Sequence, residues 1–380
     1  MNQGEIVKRD IPVSKPFIGE TEIQYVNDAL SKNAISGFFG EYISKFETAF
    51  ANYSDCKYGV ATSNGTTALH LALLALSIGK DDEILVSTLT NMASFFAVIY
   101  QGAKPIPIDI EEDTLNIDPN ILESKISPRT KAIMVVHLFG HPVDMDPIMA
   151  IARKHNLYVI EDCAEAHGAT YKGKKIGGIG DIGCFSFYAN KIITTGEGGM
   201  ITTNNYPVAE KARSLKGLAF GDTNKFMHKD IGYNYRMTNL QAAIGYAQLE
   251  KIETIINKKR AIARYYSEKL NNLDCLQLPI EKSYARNVYW MYHMVLRGKA
   301  SGHRTSIMKK LLEKGIETRE GFVPYNMQDI FIKRGWTRLE DCPKANDVAL
   351  SSFYLPSGTS LTNEELGYVV KNLREILESI

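Results

Sequence analysis

Residues 157–162, Leu-Tyr-Val-Ile-Glu-Asp, form a short β-rich run that ends on two acidic side chains. Runs of the same kind precede it: Glu-Ile-Leu-Val-Ser at 83–87, Pro-Ile-Pro-Ile-Asp at 105–109 and Ala-Ile-Met-Val-Val at 132–136. Stretches of helical character separate them across residues 55–205. Such alternation predicts an α/β fold, with a mostly parallel sheet covered by helices on both faces. Ligands of these sheets gather at the carboxyl ends of the strands, so the residues standing at those ends carry the functional reading.

Downstream, Asn239 to about Leu270 keeps helical periodicity over a long span without proline, and Thr238 stands ready as its N-cap. This segment is expected to bridge two units. A strand at 289–296 and helices near 304–314 and 362–378 predict a smaller α+β unit beyond it. The expected division is a large domain over 1–245, with the N-terminal segment, and a small domain over 246–380. A chain of 380 residues suits one large and one smaller domain.

Forty-four basic against 43 acidic side chains give a net charge of +1. No global field then draws the chain to nucleic acid or an anionic membrane, and any anion must be held locally. Five cysteines, at 56, 163, 184, 275 and 342, show no metal-site spacing, so reduced thiols and no metal are expected. Residues 1–10 lack the apolar core of a signal peptide, and no apolar run approaches bilayer length. A cytoplasmic protein is expected.

Three elements carry chemistry. Phe-Ser-Phe-Tyr-Ala-Asn-Lys at 185–191 runs into Ile-Ile-Thr-Thr-Gly-Glu-Gly-Gly-Met, which sets Lys191 between an apolar strand and a glycine-rich turn. An amine beside an apolar wall loses its proton more readily, as Schiff-base chemistry requires. Glycines at 196, 198 and 199 would let the backbone approach a bulky ring. In Ile-Glu-Asp-Cys-Ala-Glu-Ala-His at 160–167, Asp162 ends the strand, where a carboxylate can keep a pyridinium nitrogen protonated. Thr-Ser-Asn-Gly-Thr-Thr-Ala-Leu-His at 62–70 is a small polar turn entering an apolar helix, the pattern of a phosphate site at a helix start. Each element alone has a plain structural reading, respectively an exposed loop lysine, a structural carboxylate and a helix cap. Their pairing raises the functional one.

With these elements in this order, the chain resembles the fold-type I pyridoxal-phosphate (PLP) enzymes, the aspartate aminotransferase-like fold, and within them the DegT-type nucleotide-sugar aminotransferases. Phe-Gly-Glu-Tyr-Ile-Ser-Lys-Phe-Glu at 39–47 and Gly-Tyr-Asn-Tyr-Arg-Met-Thr-Asn at 232–239 share the resemblance, which spans nearly the whole chain. It implies a large domain built on a mostly parallel seven-stranded sheet and pyridoxal 5′-phosphate as cofactor. Lys191 would be the Schiff-base lysine and general base, Asp162 the partner of the pyridine nitrogen, and Glu165 the group beside the ring hydroxyl. Gly65, Thr66 and Ser186 would hold the phosphate, joined by Asn234 from a neighbouring subunit, which implies a homodimer with shared active sites. Tyr188 and Asn326 would touch the substrate.

Within the family, Val-His-Leu-Phe-Gly-His-Pro-Val-Asp-Met-Asp-Pro-Ile at 136–148 is similar to the GDP-perosamine synthases, which aminate C4 of GDP-4-keto-6-deoxymannose with glutamate for surface glycans such as O-antigen. Two positions depart from the family pattern: Asn91 stands where an aromatic residue would stack on the cofactor ring, and Asn326 where a histidine is expected after Phe-x-Pro. Alternatives are amination of a UDP- or dTDP-linked 4-keto or 3-keto sugar, and a non-catalytic PLP-binding regulator. A basic helix-turn-helix, which such regulators carry, is absent from both termini, and Lys191 stands where a related dehydratase has histidine. His137, His141 and His167 are read as structural, and Asn-Val-Tyr-Trp-Met-Tyr at 287–292 as packing of a small-domain strand.

Overall fold

The computed structural model describes residues 10–228 and 230–380. The start of the chain, read above for a signal peptide, lies mostly outside the described residues. The predicted alternation is present: β1 (Tyr58–Thr62), β2 (Glu83–Ser87), β3 (Lys104–Ile108), β4 (Thr130–Val136) and β5 (Tyr158–Asp162) follow one another with intervening helices. A two-residue hairpin, β6 (Thr170–Tyr171) and β7 (Lys174–Lys175), leads into β8 (Ile182–Ser186) and β9 (Gly199–Thr203). Seven of these strands form one sheet in the order β1-β9-β8-β5-β4-β2-β3, and β9 alone runs antiparallel to its neighbours.

Strand residues alternate between two apolar layers. Ile84, Val86, Ala132, Met134 and Ile160 pack against helices α3 (Gly65–Ala75) and α4 (Ala93–Tyr100). Leu85, Ile133, Val135 and Val159 face the other side, with Phe46, Phe50, Met145 and Ile148. Both faces are covered, which is why these strands read as continuous apolar runs rather than alternating ones. Residues 68–73 of α3 are all buried, as expected of a helix enclosed on every side.

A four-stranded antiparallel sheet, β10 (Leu276–Gln277), β12 (Tyr292–Leu296), β13 (Arg319–Glu320) and β14 (Ser352–Leu355), forms the second unit; β11 (Ala285–Arg286) pairs instead with the β6–β7 hairpin. Helices at Arg304–Glu313 and Asn363–Glu378 cover it, as predicted. Ile11 belongs to the core of this second unit and bridges to Ile316.

Two expectations are corrected. The bridging segment is two helices, Asn239–Glu250 and Ile252–Leu270, because Lys251 leaves helical geometry (φ −114°, ψ 11°) while its amine reaches Glu22. Thr238 does cap the first of them. The small-unit strand starts at Tyr292 rather than 289, because Tyr289 has φ 49° and the amides of Val288 and Trp290 bond to Gly140 and Phe139 of the large unit.

Candidate active site

At the carboxyl ends of β5 and β8, a cavity of about 510 Å³ gathers Gly65, Thr66, Asn91, Asp162, Glu165, Ser186, Tyr188 and Lys191. That volume lies within the range of small-molecule sites.

One end is built by the turn after β1. Asn64 caps α3, its Oδ1 accepting the Thr67 amide at 2.9 Å. The amides of Gly65 and Thr66 in the first turn have no hydrogen-bond partner among the described residues, so they stay available to an anion. Ser186, at the end of β8, lies against this turn so closely that a Cβ on Gly65 would sit 2.6 Å from the Ser186 Cβ. Only glycine lets the helix start and the serine hydroxyl form one cradle. The glycines near Lys191 serve a different purpose from the one expected. Gly196 is called for by its positive φ (80°), with open space where a Cβ would stand, whereas a Cβ on Gly198 or Gly199 would meet Thr195 or the Asn64 carbonyl, so backbone conformation and protein packing account for the three.

At the floor, Asp162 is buried, its Oδ2 accepting the Ser94 hydroxyl at 2.8 Å and its Oδ1 the Ala164 amide at 3.1 Å. Burial raises its pKa, while those two hydrogen bonds and the nearby Lys191 charge oppose the rise. Glu165, three residues on, accepts the Phe139 amide at 2.8 Å and is pushed up to about 7 by burial, against the Lys191 charge and that amide. Phe139 reaches this position in the left-handed region (φ 52°, ψ 14°), which aims its N–H at Glu165. Lys191 sits above both carboxylates. Burial lowers its pKa and the charges of Glu165 and Asp162 hold it up, so its amine lies nearer neutrality than an exposed lysine.

Asn91 does line the cavity, its Oδ1 accepting the Ala93 amide at the start of α4. Asn234 is exposed and lies outside the cavity of its own chain. Asn326 is fully buried away from it, taking the Thr88 hydroxyl and donating to Leu339 and Asn346, so the structure does not bring it to the substrate space. Sequence reasoning missed Trp290, Phe322 and Tyr354, which line the cavity from the small unit. The 287–292 run reads as strand packing, and no local pattern separates it from one.

None of the three histidines lines the cavity, and His167 has no hydrogen-bond partner at either ring nitrogen among the described residues. His137 bonds Glu161 at 3.1 Å, His141 meets the Pro142 carbonyl and the Lys282 amide, and His167 stacks on Phe185 and Phe187, with burial pushing its pKa down to about 3. His137, Glu161 and Cys163 converge, but both oxygens of Glu161 already take the amides of Gly177, Ile179 and Gly180 together with His137.

The chain matches the DegT/DnrJ/EryC1/StrS aminotransferase family over residues 16–374. It belongs to that family. It is 43% identical to a GDP-perosamine synthase of Escherichia coli O157:H7, over 96% of this chain and 98% of that one. It is 37% identical to a UDP-N-acetyl-3-dehydro-α-D-glucosamine 3-aminotransferase of Acidithiobacillus ferrooxidans, over 87% of each chain. A putative sugar aminotransferase of Streptococcus pneumoniae solved in PLP and PMP forms superposes with a TM-score of 0.92 at 26% identity, over 97% of this chain and 98–99% of that one. This family member is thus a PLP-dependent nucleotide-sugar aminotransferase. The residues present fit the cofactor: an anion cradle at one end of the cavity, a buried carboxylate at its floor and a desolvated amine above.

Proposed function

We propose that this enzyme moves the amino group of L-glutamate onto C4 of GDP-4-keto-6-deoxy-D-mannose, yielding GDP-perosamine for O-antigen or another surface glycan. The observation that carries the reading is the convergence in one cavity of Lys191, Asp162, Glu165 and the Gly65, Thr66 and Ser186 cradle. The 43% identity to GDP-perosamine synthase supports the choice of sugar.

When bound, PLP supplies an electron sink and a carrier for the amino group. Gly65, Thr66 and Ser186 would hold its phosphate, Asp162 its pyridine nitrogen and Glu165 its ring hydroxyl, with Asn91 and Tyr188 along the walls. Lys191 Nζ takes the proton from Cα of glutamate and returns one to the sugar carbon that receives nitrogen. Burial favours the free amine more than at an exposed lysine, and the adjacent carboxylates steady the ammonium once it forms. Trp290, Phe322 and Tyr354 line one side of the cavity with aromatic surface beside these transfers.

We further propose a homodimer. Phe38, Phe39, Phe226, Met227 and Ile231 are all more than half exposed, and Phe38 and Phe226 share the neighbourhood of Lys225. A monomer gains nothing from such a patch, and Asn234 lies exposed on the same segment, free to reach a partner's phosphate cradle. The proposed domain division keeps 1–245 with the large sheet and 246–380 with the small one. Among the described residues no helix is long and apolar enough to cross a membrane, and we place the enzyme in the cytoplasm.

The identity to the UDP-sugar 3-aminotransferase favours a second reading, amination of a UDP-linked 3-keto sugar. Product mass after incubation with glutamate and GDP-, UDP- or dTDP-linked keto-sugars decides between them. Turnover confined to the GDP-linked 4-keto sugar is expected; equal or preferred turnover of a uridine-linked sugar would overturn the GDP assignment.

A further inference from the structure

We propose that the indole face of Trp290 is the docking position of the Lys191 amine whenever that amine is free of a covalent bond, so that Trp290 positions the reacting group between chemical steps. The inference rests on reading Lys191 as the reacting amine.

Lys191 Nζ lies 4.1 Å from the centre of the Trp290 ring. Among the described residues no hydrogen bond or ion pair engages that amine, although Asp162 and Glu165 are close enough to act on its charge. The amine therefore rests on a π-face rather than on either carboxylate. An ammonium over a desolvated indole gains attraction from the ring quadrupole, while a neutral amine there gives up no strong hydrogen bond on leaving. A carboxylate would bind the ammonium more firmly and hold it there. A face of this kind suits an amine that must be released repeatedly.

Trp290 is itself fixed at every polar group. Its main-chain N–H donates to the Phe139 carbonyl at 2.9 Å, and its carbonyl accepts the Lys259 amine at 2.8 Å. Its indole N–H donates at 2.7 Å to the carbonyl of Asn190, the residue just before Lys191. The indole thus holds both the backbone and the amine of the lysine segment. Phe139, which receives the Trp290 amide, gives its own amide to Glu165, so one chain of contacts joins the small unit to both reacting side chains. Lys259 is buried, lines a small enclosed cavity shared with Lys191, and has no part in the chemistry above; its use is the Trp290 carbonyl.

The charged and titratable groups around the amine are Asp162, Glu165 and His167 from the segment after β5, Tyr188 and Glu197 from the loop that carries it, Tyr354 from the small sheet and Lys259 behind Trp290. Burial drives the amine toward its neutral form, and the carboxylates and the indole face oppose this. Phe and Leu at position 290 both lose the indole N–H bond to the Asn190 carbonyl and leave the carboxylates in place, so the difference between the two variants isolates the ring face.

The test uses full-length enzyme loaded with pyridoxamine 5′-phosphate, in which the Lys191 amine is free. Competitive labelling with acetic anhydride across pH, read at the Lys191 peptide by mass spectrometry, gives the midpoint of amine deprotonation for wild type, Trp290→Phe and Trp290→Leu. Loss of the π-face in Trp290→Leu lowers the midpoint by about one pH unit, and Trp290→Phe, which keeps a weaker face, falls between. Coincident midpoints in all three, or a raised one in Trp290→Leu, would overturn the proposal. If circular dichroism shows Trp290→Leu unfolded, Trp290→Phe decides: a lowered midpoint supports the proposal and an unchanged one overturns it. A purely structural role would lower the melting temperature of the variants without ordering the midpoints by ring. Failure of the Lys191 reading is separate, since borohydride reduction of the PLP-loaded enzyme would then fix the cofactor on another residue.

Discussion

Glu165 shows how one buried carboxyl links stability to chemistry. An unfolded glutamate titrates near pH 4.3, whereas burial carries this one up to about 7. Between those values the folded protein holds a proton that the unfolded chain has lost, so stability falls as pH rises and the loss is complete above 7. The gap corresponds to roughly 4 kcal/mol. Urea unfolding of the cofactor-free protein at pH 5 and pH 8 is expected to show this decline in wild type and a smaller one in Glu165→Gln, which cannot ionise. Asp162 shifts in the same direction and persists in both proteins, so the comparison isolates Glu165. Equal pH dependence in the two proteins would show that Glu165 titrates normally.

The turn between β1 and α3 is legible in the sequence because its requirements are local. Asn64 caps, Gly65 permits a close approach, and the first amides stay free. Gly65→Ala inserts a methyl 2.6 Å from the Ser186 Cβ, so either the helix start or the β8 end must shift, at a cost of about 1–3 kcal/mol. Equilibrium dialysis is expected to show PLP affinity reduced about tenfold or more; unchanged affinity would remove Gly65 from the cradle. Strands β2, β4 and β5 are equally readable, since unbroken apolar stretches within them mark two-sided burial, and β3 at the sheet edge is read from its isoleucines although it is only partly buried. The break at Lys251 is not readable, because no Gly or Pro marks it, and the Lys251 amine pairs with Glu22, more than 200 residues away in sequence. The late start of β12 has the same origin, with residues 288–290 bonded to the Phe139 turn. Trp290 entered the site and Asn326 left it through these long-range contacts, which local patterns do not encode.

The cavity lies between the two sheets of the whole molecule: the large sheet supplies its floor and cradle, and the small unit supplies the Trp290, Phe322 and Tyr354 wall. In the proposed dimer the phosphate end also needs Asn234 of a second copy, so cofactor retention and assembly are coupled by mass action. Ile231 is 83% exposed beside that asparagine. Ile231→Asp places a charge in the proposed interface, and light scattering is expected to show monomers that also retain less PLP. A dimer with undiminished cofactor content would place the interface elsewhere. The family, the fold and the cofactor are shared with relatives, whereas the identity of the reacting amine is a statement about one side chain of this molecule. Borohydride reduction of the PLP-loaded enzyme followed by peptide mapping tests it most directly. The cofactor is expected on Lys191 alone, and its attachment to another lysine, such as Lys259, or to none would contradict the account.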